Sequence, residues 1–297
     1  MSVRELDARW LGRLLREAAS AWVDDYAASM GAALAYYTMF SIAPLLLIVI
    51  SVAGMVFGDD AARGAITEQL QGLIGDGGAQ WVSELIERAD RPAQGAVSTL
   101  LGVGLLVLGA TTVFAELQDA LDRIWRVPRR TGSGLWTLLR ARLLSLGLIL
   151  GLGFLMMVSL LLSAVLSLLG RWWGAWFGHW LLLAELLNQA MSLALVTVVF
   201  AMIYKLMPRA RVAWADVWLG AAVTAVLFTV GKFLIGLYLG RSGLGSVFGA
   251  AGSLVVMLVW VYYSAQIFLL GAEFTWAYAR RFGSRRHAAF AAGSGGR

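Results

Sequence analysis

The sequence predicts an all-α, polytopic membrane helix bundle with six transmembrane helices, an N-terminal amphipathic interfacial helix and a short external helical hairpin. The first observation is composition: 60% of the 297 residues are hydrophobic and only 14% are charged, against about 25% charged residues in soluble domains. The second is a series of long apolar runs, each near the roughly 20 residues that a spanning helix needs. The third is that these runs do not alternate between polar and apolar residues, which argues against a transmembrane β-barrel.

The apolar runs define the domain organisation. The predicted spans lie at about 31–57, 94–115, 143–169, 181–204, 214–239 and 246–275. Each is expected to be helical, because lipid offers no hydrogen-bond partner to the backbone. Together they make one membrane domain over residues 1–281. The basic tail at 282–297 is rich in Gly, Ala and Ser and is predicted to be disordered.

The distribution of positive charge predicts the orientation. Most of the 24 Lys and Arg residues fall in the N-terminal segment, in the loops after the second and fourth spans, and in the tail. Cytoplasmic loops carry such an excess in membrane proteins. Both termini are therefore predicted to be cytoplasmic.

The segment before the first span has the spacing of an amphipathic helix over residues 2–24. Its apolar positions recur at helical intervals with charged residues between them; they are Val3, Leu6, Trp10, Leu14, Ala18 and Trp22. Such a helix either lies on the cytoplasmic leaflet or packs beneath the bundle. The sequence leaves both open.

The only sizeable external segment is predicted at 59–93. Ile66, Leu70 and Leu73 fit one helical face, while Trp81, Leu85 and Ile86 fit another. The glycine-rich stretch at 75–78 lies between them, and glycine favours a break. The pattern predicts a short helical hairpin that caps the outer face.

Composition also bounds the chemistry. The chain has no cysteine and only two histidines, far apart in the sequence, so a disulfide, a thiolate site or a His-rich metal site is excluded. No P-loop, paired-histidine metal motif or nucleophile elbow occurs. We therefore expect no enzyme activity, no metal and no cofactor. The net charge of +6 is assigned to topology and to anionic lipid at the cytoplasmic face, not to nucleic acid.

Polar residues inside apolar runs are the first candidates for function, because they are costly in a membrane. Lys232 in the fifth span and Glu185 near the start of the fourth are predicted at similar depth, and an intramembrane ion pair would offset much of the cost of the lysine. The alternative is that Lys232 extends to the interface and Glu185 already lies at the surface.

A second set is predicted to share the inner half of the bundle and to line a polar cavity open to the cytoplasm. The set is Tyr36, Tyr37, Ser41, Glu116, Tyr263, Gln266 and Glu273. Pro44 is expected to kink the first span and open this space, with Arg123 and Arg126 near its mouth to attract an anionic headgroup. The alternative is a closed core in which the same groups are interhelical hydrogen bonds.

Small residues are expected where helices approach closely. The spacing Gly-x-x-x-Gly occurs at 147–151, 236–240 and 245–249, and this motif is common at helix contacts in membranes. The oligomeric state is left open, a homo-oligomer included.

Several ordered blocks of residues resemble the YihY/virulence factor BrkB family of bacterial inner-membrane proteins, some of whose members were formerly labelled ribonuclease BN. The blocks are ALAYY (33–37) with SIAPLL (41–46), FAELQDAL (114–121) with Ile124 and Trp125, LMP (206–208) with VAW (212–214), and WVYYSAQI (260–267) with GAE (271–273). The resemblance extends from about Trp22 to Arg281. One departure is Phe248, where many relatives have Tyr, so a role that needs a hydroxyl there is in doubt.

The resemblance implies six spans in the bacterial cytoplasmic (inner) membrane. It implies little about activity; transport or flipping of a lipid or another envelope amphiphile is the usual suggestion. The first functional hypothesis is therefore a transporter or flippase-like protein. The second is a structural or interaction protein of the envelope. RNA processing is not favoured, because a nuclease of the metallo-β-lactamase type needs a cluster of His and Asp ligands that this chain lacks.

Overall fold

The computed structural model describes residues 8–89, 112–128, 180–210, 212–242 and 252–285. The helices in these ranges are α1 (Ala8–Asp24), α2 (Ala27–Phe57), α3 (Asp59–Ala89), α4 (residues 112–124), α5 (Trp180–Leu206), α6 (Trp214–Ser242) and α7 (Gly252–Arg281). The described part of the chain contains no strand, in agreement with the predicted all-α class.

Three of these helices are long and apolar enough to cross a membrane, over Gln189–Leu206, Trp214–Tyr238 and Leu254–Arg281. They coincide with the predicted fourth, fifth and sixth spans. The predicted first span lies inside α2. Most of the second span, the whole third span and residues 246–251 lie outside the described residues, so the total of six spans stays a prediction.

Helix α7 is the central element of the described bundle. It packs against α1, α2, α3 and α6. Helix α5 packs on α6 and also reaches α7, where the Tyr204 hydroxyl donates to the Phe268 carbonyl oxygen at 2.7 Å. The α6–α7 pair is antiparallel, because Gly220 lies against Thr275 at one end while Gly231 lies against Ile267 towards the other. A side chain at Gly220 would come within 2.7 Å of the Thr275 Cβ, and one at Gly271 within 2.8 Å of the Thr224 Cβ.

These close contacts are not at the Gly-x-x-x-Gly spacing that the sequence suggested for this helix. Gly236 of the predicted 236–240 motif is exposed, and nothing within the described residues lies within 4 Å of where its Cβ would be. The helices instead approach closely at Gly220, Gly231 and Gly271, which are not in any Gly-x-x-x-Gly pair. Each of these glycines faces a threonine, an aromatic or a branched side chain on the neighbouring helix. Each close contact therefore depends on a single glycine and not on a pair.

Helix α3 differs from the predicted external hairpin. It is one continuous helix from Asp59 to Ala89, and it follows α2 directly after a turn at Gly58, whose φ is +87°. Val82 and Ile86 share a buried cluster with Leu47 and Ile50 of α2 and with Met257 and Val261 of α7. The hairpin is therefore corrected: the segment is one helix, which packs on α2 and α7 through Ile66, Val82 and Ile86 instead of folding on itself.

Helix α1 packs against the C-terminal half of α7. Leu14, Ala18 and Ala21 are buried, whereas Arg13 and Arg16 on the other side are exposed. The structure thus shows the packed arrangement for the apolar face of α1. Contact of its charged face with lipid stays a prediction.

The start of the predicted disordered tail is ordered. Asp216 Oδ2 accepts hydrogen bonds from the Ser284 backbone N–H at 3.0 Å and from the Ser284 hydroxyl at 2.7 Å. Arg285 stacks over the Trp125 ring at 5.2 Å. Residues 282–285 are consequently joined to α6 and to the end of α4, and the rest of the tail lies outside the described residues.

Candidate functional site

The α2–α7 interface is built around one polar side chain. Gln266 of α7 points at the first turn of α2, and its Nε2 donates a long hydrogen bond of 3.4 Å to the Ala28 carbonyl oxygen. A Cβ at Gly31 would lie 3.0 Å from the Gln266 Cδ and closer still to Nε2. The Gln266 Oε1 atom is buried and has no hydrogen-bond donor among the described residues. The interface therefore contains a buried amide oxygen that accepts no hydrogen bond from the described residues.

Two turns further along α7, Glu273 is fully buried, with 0% exposure. Neither of its carboxylate oxygens has a hydrogen-bond partner within the described part of the chain. Asp25, in the junction between α1 and α2, is also buried and faces Glu273. Burying a carboxylate without a donor is costly, so this position is an unusual one for two acids.

One cation reaches the two acids. Arg126, just after α4, places its Nη1 atom 2.6 Å from Asp25 Oδ1. The same guanidinium lies over the Trp276 ring of α7 at 5.3 Å, and Arg280 lies over that ring at 4.5 Å. Arg126 thus connects the α1–α2 junction, α4 and α7. We call Gln266, Glu273, Asp25 and Arg126 the polar seam.

The backbone is strained at the polar seam. Tyr26 and Arg126 have φ values of 57° and 54°, and they are the only non-glycine residues with positive φ in the described ranges. One follows Asp25 directly and the other is its ion-pair partner. Such conformations cost roughly 1–3 kcal/mol and persist where surrounding contacts hold them, often at functional sites.

A second polar contact joins α4 to the loop between α5 and α6. Asp122 Oδ1 accepts a 2.7 Å hydrogen bond from the Arg209 backbone N–H, and Arg209 Nη1 lies 3.2 Å from Asp122 Oδ2. Gln118 donates to the Met207 carbonyl oxygen at 2.9 Å. Burial raises the pKa of Asp122, although the hydrogen bond and charge of Arg209 oppose this. Asp122 Oδ2 accepts no hydrogen bond from the described residues, but the Arg209 guanidinium is its ion-pair partner. These contacts join α4 to the loop between α5 and α6.

The structure brings together only part of the predicted site. Ser41 is buried and Tyr37 is half-buried on α2, and Glu116 is half-buried on α4. Tyr36 is 57% exposed and packs edge-on against Phe40 and Tyr37 of its own helix. It therefore lies on the outer side of α2, away from the interface that contains Gln266.

Tyr263 occupies a different face of α7 from Gln266. A Cβ at Gly231 of α6 would lie 3.3 Å from the Tyr263 hydroxyl oxygen, so this tyrosine contacts α6 while Gln266 contacts α2. Of the seven predicted residues, Gln266 and Glu273 lie on the seam, and Tyr36 and Tyr263 point elsewhere. Whether the seam contains a solvated cavity stays a prediction.

The predicted Lys232–Glu185 ion pair also stays a prediction. Lys232 is exposed on α6, and the side chain of Glu185 lies outside what the structure describes.

Pro44 lies within the continuous helix α2. Proline cannot donate to the carbonyl four residues earlier, which is that of Phe40, so a kink there remains expected.

Asp25 is the site residue that sequence analysis missed. It follows Asp24 at the end of the amphipathic helix, and two acidic residues at the end of a surface helix do not by themselves indicate a site. The sequence did contain one signal for Asp25, since both acids precede a span on the side of the membrane that is otherwise predicted to be rich in arginine.

Among the described residues, no group of three or more His, Cys, Asp or Glu side chains could hold a metal ion.

The long apolar helices and their buried polar contacts define an α-helical integral membrane protein. Residues 18–295 match the family model described as virulence factor BrkB. The chain belongs to this family, as the blocks of residues that contain Gln266 and Glu273 suggested.

The matching relatives are membrane proteins by name. A UPF0761 membrane protein of Pseudomonas aeruginosa (strain LESB58) is 32% identical over 84% of this chain and 59% of its own length. A UPF0761 membrane protein of Azotobacter vinelandii is 31% identical over 84% and 59%. One of Actinobacillus pleuropneumoniae serotype 5b is 29% identical over 82% and 84%.

The chain spans about three fifths of the length of the Pseudomonas and Azotobacter relatives. No solved structure matches it.

Proposed function

We propose that this protein is a transporter or flippase-like protein that moves a lipid or another envelope amphiphile across the bacterial cytoplasmic membrane, with both termini in the cytoplasm. The observation that carries the proposal is the polar seam. On one face of a helix that is apolar enough to cross a membrane, it places the Gln266 amide oxygen and the Glu273 carboxyl group, neither of which has a hydrogen-bond donor among the described residues.

Unsatisfied polar groups in membrane helices have a cost, and they are retained where they contact a substrate or an ion. A helix that served only as support would be more stable with apolar residues at both positions, because burial of an amide without a full set of partners costs about 1–3 kcal/mol. A polar headgroup moving along the seam would supply the missing partners for a short time. Its acyl chains would remain in the surrounding lipid.

The alternative of a structural or interaction protein has less support. It depended on an external hairpin and on an amphipathic helix free to dock a partner. Helix α3 packs on α2 instead, and the apolar side chains Leu14 and Ala18 of α1 are buried against the bundle. The packing of both elements against the bundle therefore favours the transporter proposal over this alternative.

The test is lipid movement in vesicles that contain the purified full-length chain. Fluorescent phosphatidylglycerol and phosphatidylcholine are reconstituted in separate preparations, and a membrane-impermeant quencher reports how fast lipid leaves the inner leaflet. We expect the protein to accelerate movement of the anionic lipid above that of protein-free vesicles. Gln266→Leu should lower this rate, because leucine cannot hydrogen-bond a headgroup.

Gly236→Ala is the matched control, since Gly236 is an exposed helix position and no atom of the described residues lies within 4 Å of where its Cβ would be. It should behave as the unmodified protein. Equal rates with and without protein for both lipids would reject lipid movement. A Gln266→Leu variant as fast as the Gly236→Ala variant would remove the seam from the pathway.

A further inference from the structure

Three of the four carboxylate oxygens of Asp25 and Glu273 lack a hydrogen-bond donor among the described residues. Asp25 Oδ2 and both Glu273 oxygens are buried, and no donor reaches them from the described residues. The Asp25 side chain is 4% exposed and the Glu273 residue 0%. Two ionised carboxylates that face each other offer acceptors only. A proton on one of them would turn that oxygen into a donor to the other.

The charged groups around Glu273 also favour a proton on one of the two carboxyl groups. The groups that face it are Asp24 and Asp25 from the α1–α2 junction and Arg126 from the segment after α4. Arg126 is the only cation among them, and its Nη1 atom is already bound to Asp25 Oδ1. Among the described residues, Glu273 therefore has no cation that is not already paired with Asp25. When like charges share a buried site, one of the groups is usually neutral.

We propose that Asp25 and Glu273 form a proton-binding site in which the two carboxyl groups share one proton. In the structure described here, Arg126 balances the single negative charge of the pair. The proton comes from a hydronium ion in the aqueous phase: one of its O–H bonds breaks as the O–H bond to a carboxylate oxygen forms, water is released, and one negative charge of the pair is neutralised. Its release returns a second negative charge to the buried site.

A second feature connects the proton to the arrangement of the helices. Both strained non-glycine residues, Tyr26 and Arg126, adjoin the pair, and Arg126 also rests on Trp276 of α7. When the proton is lost, Arg126 has two carboxylates to compensate instead of one. Its position between the α1–α2 junction and α7 means that any shift towards Glu273 changes the contact between these elements.

This inference deepens the proposed function, because it names a proton as the ion that is coupled to movement of the amphiphile. It does not need the transport assay for its own test. The proton site can be observed in the purified protein, whereas lipid movement is measured in vesicles, so one proposal can fail while the other stands.

The test is infrared difference spectroscopy of the full-length chain in lipid nanodiscs, recorded while the pH is stepped across neutrality. A protonated carboxyl group has a carbonyl stretching band that a carboxylate lacks. We expect the unmodified protein to show such a band at neutral pH and to lose it at alkaline pH. Glu273→Gln should remove the band, since glutamine keeps the shape and supplies an N–H to Asp25.

Asp216→Asn is the matched control. Asp216 is also buried, but it accepts two hydrogen bonds from Ser284 and lies outside the polar seam, so we expect its replacement to leave the band unchanged. Absence of the band at neutral pH in the unmodified protein would overturn the proposal. So would a band that persists in Glu273→Gln, or one that disappears in Asp216→Asn while remaining in Glu273→Gln.

Discussion

The side-chain amide of Gln266 occupies the space that a side chain at position 31 would need. The Gln266 Nε2 donates to the Ala28 carbonyl oxygen in the first turn of α2, and only a glycine at 31 leaves room for it. This relationship fixes the distance between α2 and α7 at the level where the seam begins. It also makes the two residues interdependent.

The first prediction concerns this dependence. Gly31→Ala should not stabilise the protein, because the gain of up to about 1 kcal/mol from helix propensity is offset by displacement of the Gln266 amide. In a Gln266→Ala background the same substitution should be stabilising. A double-mutant cycle by thermal unfolding in detergent measures the coupling, which we expect at about 0.5–2 kcal/mol. Additive effects would show that the two residues do not depend on each other.

The second prediction concerns the close α6–α7 approach. Gly271→Ala should destabilise the protein by roughly 1–3 kcal/mol, because its Cβ would meet the Thr224 side chain and the Tyr204 hydroxyl oxygen, the latter at 2.7 Å. Both neighbours are buried and neither is a flexible chain end. Gly236→Ala, on an exposed position, is the control and should be neutral or stabilising. Equal unfolding temperatures for the two variants would contradict this packing.

The third prediction concerns Asp122. Asp122→Ala leaves the Arg209 N–H without its acceptor and should cost about 1–3 kcal/mol. The control is Glu17→Ala, which breaks an exposed pair with Arg281 at 3.3 Å; exposed pairs contribute about 0–1 kcal/mol because solvent screens them. Thermal unfolding of the two variants measures how much folding stability each substitution removes. A larger loss at Glu17 would contradict the structural role of Asp122.

The sign of the pH effect at Asp122 follows from its burial, which raises its pKa in the folded state. The folded protein then holds this proton more tightly than the unfolded chain. The contribution to stability is complete below the ordinary Asp value of about 4 and is lost as the pH rises through the folded-state pKa. Asp122→Asn should flatten this part of the stability profile, and an unchanged profile would contradict the raised pKa.

The fourth prediction tests the orientation and the position of α3. The chain has no cysteine, so single cysteines report accessibility without background. Cysteine at Gly243 and at Gly77 should react with a membrane-impermeant thiol reagent in whole cells, whereas cysteine at Ser133 and at Ser294 should not. Labelling of the last two from outside would reverse the orientation. An unreactive Gly77 position would place α3 within the bundle along its whole length.

Several elements could be predicted from the sequence because apolarity is a local property. The fourth, fifth and sixth predicted spans coincide with the three long apolar helices, and Gln266 stood out as the deepest polar residue of its span. Helix α3 could not be predicted, because the glycine-rich stretch at 75–78 signals a break locally. Packing against α2 supplies burial that a local pattern does not contain.

The candidate site was predictable only in part for the same reason. Glu273 is recognisable as an acid in an apolar run. Arg126 was predicted near the mouth of the cavity as a contact for an anionic headgroup, but its ion pair with Asp25 was not. Asp25 is an ordinary charged residue in its own segment, and it becomes part of the site only because α7 passes the α1–α2 junction. The contacts at Gly220 and Gly271 likewise depend on which threonine faces them across the helix pair, and no spacing motif encodes that.

The most direct test of the account is the accessibility of the polar seam to water in the membrane. Gln266→Cys lies on the seam. Val230→Cys is the control at the same level, since the adjacent Gly231 lies against Ile267, and Val230 is exposed on the outer side of α6. In proteoliposomes we predict that a water-soluble thiol reagent modifies Gln266→Cys much faster than Val230→Cys, and that an anionic amphiphile slows this reaction. Equally slow modification of both positions would contradict a pathway along the seam.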